Sequence, residues 1–329
     1  MNKVLTVSIA AYNVGKYLAE TLESLVSSVL SELDIIIVND GSTDDTSSVA
    51  HAYEKKYPDS IRVIDKRNGG YGSTFNAALE LARGKYFRYL DGDDWLNSAL
   101  LPSYVFELAN SDADAVITPY VRVFTGESYR EETVDDVSEL PCGEYRADEV
   151  IPCSPVAACS LAYKTSVLKK SNFRMSEKLF YTDVEFAYLP WSRVSTYMVV
   201  KLPIYRYRLG RAGQSVSRKG ITAHYQDLCA VCSRLIEELD KSEYRACKAQ
   251  KYIESCCVRE AVTVYGFICI AKDDSKARET LAEWDSYLRR YDGISKQVEK
   301  RSKLVRFLRL TKMYGYPFAA WIKGRETSE

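Results

Sequence analysis

Tyr86-Phe87-Arg88-Tyr89-Leu90-Asp91-Gly92-Asp93-Asp94-Trp95 runs an apolar stretch straight into three carboxylates within four positions. Carboxylates set side by side repel and raise each other's pKa unless a cation joins them. Two readings follow. One is a solvated acidic turn, built of residues that turns favour. The other is a seat for a hard divalent ion, Mn2+ or Mg2+, which takes oxygen ligands and needs only one or two carboxylates when waters and phosphates complete its shell.

Upstream, strand and helix signals alternate. Val4 to Ala10 is apolar and β-branched, and Val14 to Leu30 carries Leu18, Leu22, Leu25, Val26 and Val29 at helical spacing. Strands are expected over Asp34 to Val38, Ile61 to Asp65 and Lys85 to Leu90, with a helix ending near Ala82. This βαβαβαβ order predicts an α/β fold, a mostly parallel sheet flanked by helices, in which ligands bind beyond the carboxyl ends of the strands. Four polar loops fall there: Ala11-Tyr12-Asn13, Asn39-Asp40-Gly41, Arg67-Asn68-Gly69-Gly70 and the acidic cluster.

Farther on, a helix is expected to Ala109, a strand over Ala115 to Tyr120, a hairpin or loop from Glu127 to Glu139, and a short helix over Lys164 to Lys170. A helix over Asp183 to Trp191 and a strand over Tyr197 to Leu202 follow. Beyond about 220 the pattern is helical, over Tyr225 to Leu239, Tyr244 to Ile270 and Ala277 to Tyr291.

Charge cancels at 45 basic against 45 acidic residues, so no global field recruits nucleic acid. Nine cysteines, an odd number, and an N-terminus without a signal-peptide pattern fit reduced thiols in the cytoplasm. Cys229 and Cys232 read as thiols one helical turn apart rather than a zinc knuckle. No apolar run reaches the roughly 18 residues that cross a bilayer.

Taken together, Ser8-Ile9-Ala10-Ala11-Tyr12-Asn13, Ile37-Val38-Asn39-Asp40-Gly41-Ser42-Thr43-Asp44-Asp45-Thr46, Asn68-Gly69-Gly70 and Tyr89-Leu90-Asp91-Gly92-Asp93-Asp94 resemble a family-2 glycosyltransferase of the GT-A fold, of the bacterial cell-surface polysaccharide type. The match is motif by motif over residues 4 to 95 and thinner to about 217. The resemblance implies a GT-A domain over 1–218, its nucleotide-sugar half about 1–97 and its acceptor half about 98–218, and a helical region over 219–329. It implies an NDP-sugar donor, UDP-sugar foremost, bound with Mn2+ or Mg2+, and a glycan or lipid-linked acceptor.

By the same resemblance Ala11, Tyr12, Asn13, Asp40, Asn68, Gly70, Asp91, Gln214 and Ser215 contact the donor, and Asp91, Asp93 and Asp94 hold the metal. Tyr12 lies against the base, and Asp40 bonds the base or ribose. Two departures stand out: Ala11 where the family often has Pro, and Thr74-Phe75-Asn76 where it often has Ala-Arg-Asn, which leaves Lys66 and Arg67 as candidates to substitute for the lost arginine. Inverting transfer needs a carboxylate beside the acceptor hydroxyl. In Leu179-Phe180-Tyr181-Thr182-Asp183-Val184-Glu185-Phe186, Thr182 replaces the family's Glu and Asp183 is retained, which makes Asp183 the general base; helix capping is its plainer role.

Tyr205-Arg206-Tyr207-Arg208 and Gln214-Ser215-Val216-Ser217-Arg218 resemble the family's Tyr-Arg element and Ser-rich loop, leaving Arg206, Arg208, Arg211 and Arg218 as diphosphate candidates. Other readings are a degenerate binding module and a Mg-dependent nucleotidyltransferase, although no Gly-x-x-x-x-Gly-Lys-Ser/Thr loop is present. Between Lys296 and Lys323 stand eight Lys or Arg and one Glu. Residues 300–324 therefore read either as an in-plane anchor on the inner face of the cell membrane, with Lys303, Arg306 and Arg309 on one side, or as a helix packed on the protein's own body. Oligomeric state stays open, a homodimer included.

Overall fold

The structure, a computed structural model, describes residues 3–125, 129–211, 213–241 and 249–326. It forms two compact units, Met1–Arg211 and Ala212–Glu329.

In the first unit β1 (Leu5–Ala11), β2 (Leu33–Asn39), β3 (Ile61–Asp65) and β4 (Tyr86–Asp91) lie parallel in the order β3-β2-β1-β4. Helices α1 (Gly15–Glu23), α2 (Thr46–Lys56) and α3 (Tyr71–Leu81) make the crossovers. β2 is buried along its whole length, as continuous Ile and Val demand of a strand covered on both faces. Register aligns Ala11 with Asn39, Asn39 with Asp65, and Ala10 with Asp91. All four strand ends therefore meet along one rim.

Past β4 the sheet turns mixed. Next in the chain come β5 (Trp95–Leu96), α4 (Leu101–Asn110), β6 (Ala115–Ile117), β7 (Tyr120–Phe124), β8 (Arg130–Val134) and β9 (Gly143–Arg146). They are followed by β10 (Leu161–Lys164), α5 (Thr165–Lys170), α6 (Asp183–Tyr188), β11 (Thr196–Val199) and β12 (Tyr205–Leu209). The large sheet continues β4-β10-β6-β11-β9, and a smaller one runs β5-β12-β7-β8. β10 is antiparallel to both neighbours, which departs from the parallel expectation.

Other boundaries differ for local reasons. The long helix expected from Val14 to Leu30 stops at Glu23, because Ser24 Oγ donates to Thr21 O at 2.6 Å and accepts from Leu96 N at 3.1 Å. The strand expected over Ala115–Tyr120 is two strands in different sheets. The acidic stretch does form a hairpin arm, β8 against β7, with residues 126–128 outside the described chain. Pro190 cuts α6 short, and a 3-10 turn over Leu189–Arg193 follows.

The second unit is helical: Arg218–Asp240, Gln250–Ile270, Ala277–Arg289, Asp292–Arg301, Lys303–Leu310 and Tyr316–Glu326. Residues 242–248, which include the start of the helix expected from Tyr244, lie outside the described residues. Cys232, Cys256 and Cys257 are buried in this core, and burial pushes their thiols up. No described helix is long and apolar enough to cross a membrane.

In the first unit α3 meets the segment 175–178 at glycine. A Cβ on Gly72 would stand 1.9 Å from Ser176 O, and one on Gly70 (φ +81°) 2.9 Å from Lys178 N. Gly72→Ala should destabilise the chain by about 1–3 kcal/mol, the usual cost of overpacking, read as a lower urea midpoint at unchanged slope.

Candidate active site

The first two rim loops are stapled together. Asn13, in a left-handed conformation at φ 52°, accepts from Thr43 N at 2.8 Å and donates its N–H to Ser42 Oγ at 3.1 Å. Gly15 N donates to Asp44 Oδ2 at 3.0 Å, and Val14 N to Thr46 Oγ1 at 2.9 Å. Asn13 thus holds the loop from which Tyr12, 52% exposed, stands out with an open ring. Ala11 is fully buried at the end of β1, and its carbonyl accepts from Asp40 N at 2.9 Å.

Asp40 is buried and ties the second loop to the third. Its Oδ1 accepts from Lys66 Nζ at 2.7 Å and Gly69 N at 2.9 Å, and Oδ2 accepts from Gly70 N at 2.9 Å. Lys66 also donates to Ser73 Oγ and Arg67 O, both at 2.8 Å. All three ammonium protons of Lys66 are engaged within the protein. Arg67 and Asn68 remain exposed on the rim.

The three carboxylates of the opening motif divide. Asp94 accepts from the Tyr205 hydroxyl at 2.6 Å and from Arg208 N at 2.8 Å, one donor on each oxygen. Burial, then the charges of Asp91 and Asp93, pushes its carboxyl well above the ordinary range. Through these two bonds Asp94 anchors β12, a role that the expectation of Asp94 as a metal ligand beside Asp91 and Asp93 did not include. Asp93 pairs through Oδ2 with Arg211 Nε. Asp91 is the open one. Its Oδ1 is sealed from solvent without a hydrogen-bond partner, and burial followed by the Asp93 charge pushes the carboxyl up to about 7.

β12 also separates the arginines that sequence spacing left equivalent. Arg206 pairs with Glu131, and Arg208 bonds Asp93 O at 2.8 Å and Glu20 Oε2 at 2.7 Å with its guanidinium over Trp95. Arg218 belongs to the second unit and reaches Asp273 at 3.4 Å. Arg211 is the candidate whose guanidinium pairs with a carboxylate of the acidic cluster, while that of Arg208 reaches the Asp93 carbonyl there. Gln214 and Ser215 also belong to the second unit, in the turn before Arg218–Asp240, whose N-terminus Ser217 caps.

Asp183 comes to the same rim from far along the chain. It begins α6, half-buried, and its charge is among those that raise Asp91 and the buried Tyr71 hydroxyl. The anchor is Phe186, whose ring packs edge-on against Phe75, Tyr89 and Tyr163 at 5.2, 5.5 and 5.1 Å. The preceding strap is fastened from below. Glu185, fully buried, accepts from Ser176 N at 2.6 Å and Ser176 Oγ at 2.7 Å, and Asn76 exchanges bonds with Met175 N and O, both at 2.9 Å. Lys178 and Tyr181 sit at φ 59° and 63°, a conformation side chains seldom adopt and one that clusters at functional sites. Thr182 precedes α6 and makes no side-chain cap, and Asp183 and Glu185 put two carboxylates in the first turn.

Sequence reasoning passed over Tyr71, Asn76 and Phe186; Glu185, two residues past Asp183, faces the strap and not the rim. Only Asn76 carried a signal, as the retained last residue of the Thr74-Phe75-Asn76 departure.

Four strand-end loops, an acidic pair and a remote carboxylate brought to one rim of a GT-A sheet define a glycosyltransferase. The chain belongs to glycosyl transferase family 2, whose model matches residues 6–170. It is 32% identical over 201 residues to the teichoic acid poly(glycerol phosphate) polymerase of Staphylococcus epidermidis, covering 60% of this chain and 26% of that protein. It spans between 26% and 59% of the length of the first curated relatives it matches. In fold it is similar to S. aureus TarS 1–349 in complex with UDP-GlcNAc, at TM-score 0.61 and 17% identity, covering 98% of this chain and 90% of that one. The mannosyltransferase PcManGT of Pyrobaculum calidifontis in complex with GDP-Man and Mn2+ aligns at TM-score 0.52 and 15% identity, covering 100% and 89%.

Tyr205→Phe removes one of two donors to a buried carboxyl. It should cost about 1–3 kcal/mol, and a double-mutant cycle with Asp94→Asn should assign most of that loss to the pair.

Proposed function

We propose that the chain moves a sugar from an NDP-sugar, UDP-sugar foremost, to a hydroxyl of a glycan or lipid-linked acceptor in cell-surface polysaccharide synthesis, with inversion at the anomeric carbon. The carrying observation is that α6, seated through Phe186 on Phe75 of α3 and Tyr89 of β4, brings Asp183 toward the strand end that bears Asp91 and Asp93. The nucleotide-sugars named with TarS and PcManGT support the donor class. A lipid-linked acceptor places the work at the cytoplasmic face of the cell membrane, with the chain a peripheral protein there.

The residues fit a hard divalent cation, Mn2+ or Mg2+. Asp91 Oδ1 is buried and unpartnered, and carboxylate oxygens are the donors these ions take. Asp91 and Asp93 would hold it, and when bound it neutralises charge on the diphosphate leaving group. Among the described residues no group of three or more His, Cys, Asp or Glu side chains is placed to hold an ion.

The chain's own groups divide the rest. Tyr12 offers its exposed ring to the base, from a loop that Asn13 and Asp44 keep rigid. Arg211 is the guanidinium nearest to serving the diphosphate. Asp183 takes the proton of the acceptor hydroxyl as that oxygen bonds to the anomeric carbon from the face opposite the diphosphate, and the nucleoside diphosphate leaves with the bonding pair.

Asp183→Asn should lower kcat by about 10²–10⁴ while donor binding in a thermal-shift assay is retained; full turnover in this variant removes the base assignment. Asp93→Ala should abolish UDP release. Donor binding without release in the wild-type chain would instead favour a binding module.

The Asp91 shift has a stability sign. A carboxyl whose folded pKa lies above its unfolded value holds its proton longer when folded, so raising pH disfavours folding across the window from about 4 to about 7 and adds no more above it. In chelator the melting temperature should therefore fall across that window. Added Mn2+ should raise it more at pH 8 than at pH 5.5; an equal rise at both would separate the ion from Asp91.

A further inference from the structure

The last described helix, Tyr316–Glu326, is apolar on two sides. Tyr316, Ala319 and Ala320 are buried in the second unit, and the Tyr316 hydroxyl donates to Ile268 O at 3.3 Å. The other side carries Phe318, Trp321 and Ile322, exposed at 56%, 47% and 38%, and the chain just before it adds Leu310 at 82% and Tyr314 at 76%. These five are nearly half of the eleven exposed large hydrophobic side chains among the described residues. Single exposed apolar residues need no explanation, but a gathered patch on a face that should be polar does. The rings are already arrayed, with Phe307 and Phe318 centroids 5.8 Å apart and Phe318 stacked on Trp321 at 6.1 Å.

Charge selects the occupant. Arg301, Lys303, Arg306 and Lys312 are exposed, and none has an ion-pair partner among the described residues. From Lys300 to Lys323 the sequence has no Asp or Glu. Arg309, which spacing grouped with Lys303 and Arg306, is instead buried and bonded to Asp285 at 2.8 Å and Glu299 at 2.9 Å. Val305 and Leu308 are buried as well. Helix Lys303–Leu310 therefore packs on its own unit, as the second of the two sequence readings had it, and shows cations outward. The lipophilic surface begins where that helix ends. Aromatic rings flanked by unpaired cations suit the boundary of an anionic bilayer, rings at headgroup depth and cations toward phosphate. A second copy docking through the same face would bring its own cations against these.

We propose that Leu310, Tyr314, Phe318, Trp321 and Ile322, with Lys303, Arg306 and Lys312 beside them, form the face by which the chain lies on an anionic lipid surface. This deepens the membrane placement proposed above, and its test reads no turnover, so its failure leaves the transfer chemistry standing. The full chain is sedimented with phosphatidylcholine vesicles, with and without about 30% phosphatidylglycerol, as wild type, Phe318→Ser/Trp321→Ser and Lys303→Glu/Lys312→Glu. Wild type should pellet with the anionic vesicles and be released by salt, and each variant should bind on the order of tenfold less at an unchanged melting temperature. Wild type that stays in the supernatant, or variants that pellet equally, overturns the proposal. So does a dimer in light scattering that the Phe318→Ser/Trp321→Ser variant breaks, without vesicle binding, which would make a second copy the occupant.

Discussion

Asp91, Asp93 and Asp94 set three like charges at the end of one strand, and the first unit is organised around keeping them there. Each is met differently. Asp94 accepts from the Tyr205 hydroxyl and the Arg208 N–H, Asp93 is paired with Arg211, and Asp91 has nothing on Oδ1. The first two carboxylates thereby tie β12 and Arg211 to the strand end. What remains without a partner is one oxygen of Asp91, sealed from solvent at the end of β4 and set against the Asp93 charge.

The same economy of polar groups runs through the neighbouring loops. Asp40, a donor ligand by family resemblance, accepts three bonds from Lys66, Gly69 and Gly70 and so fixes the third loop to the second. Asn13 does likewise for the first. Side-chain bonds of this kind order the rim loops before any ligand arrives, which is what oriented catalysis requires.

Asp183 shows how a remote residue is delivered. No pattern near it speaks of Asp91, yet Phe186 sinks among Phe75, Tyr89 and Tyr163, and Glu185 and Asn76 hold the strap beneath at Ser176 and Met175. Left-handed backbone at Lys178 and Tyr181 is tolerated because these contacts determine the strap's course. Glycines at 70 and 72 are the counterpart on the other side, where chain passes too close for a side chain.

Much was legible in the sequence because it is local. Alternating apolar runs and polar loops determine four parallel strands, and the order of those loops identifies the family before any coordinate is consulted. Residue type also decides that a carboxylate cluster will seek a cation. What the sequence does not carry is which side chain satisfies which. That Asp94 is bonded by Tyr205 and the Arg208 N–H, that Arg211 and not Arg206 or Arg208 pairs with the Asp93 carboxylate, and that Arg309 turns inward while Phe318 turns out, all depend on contacts between segments far apart in the chain. Spacing sets the face of a helix or strand on which a residue lies, and only tertiary packing decides what that face meets.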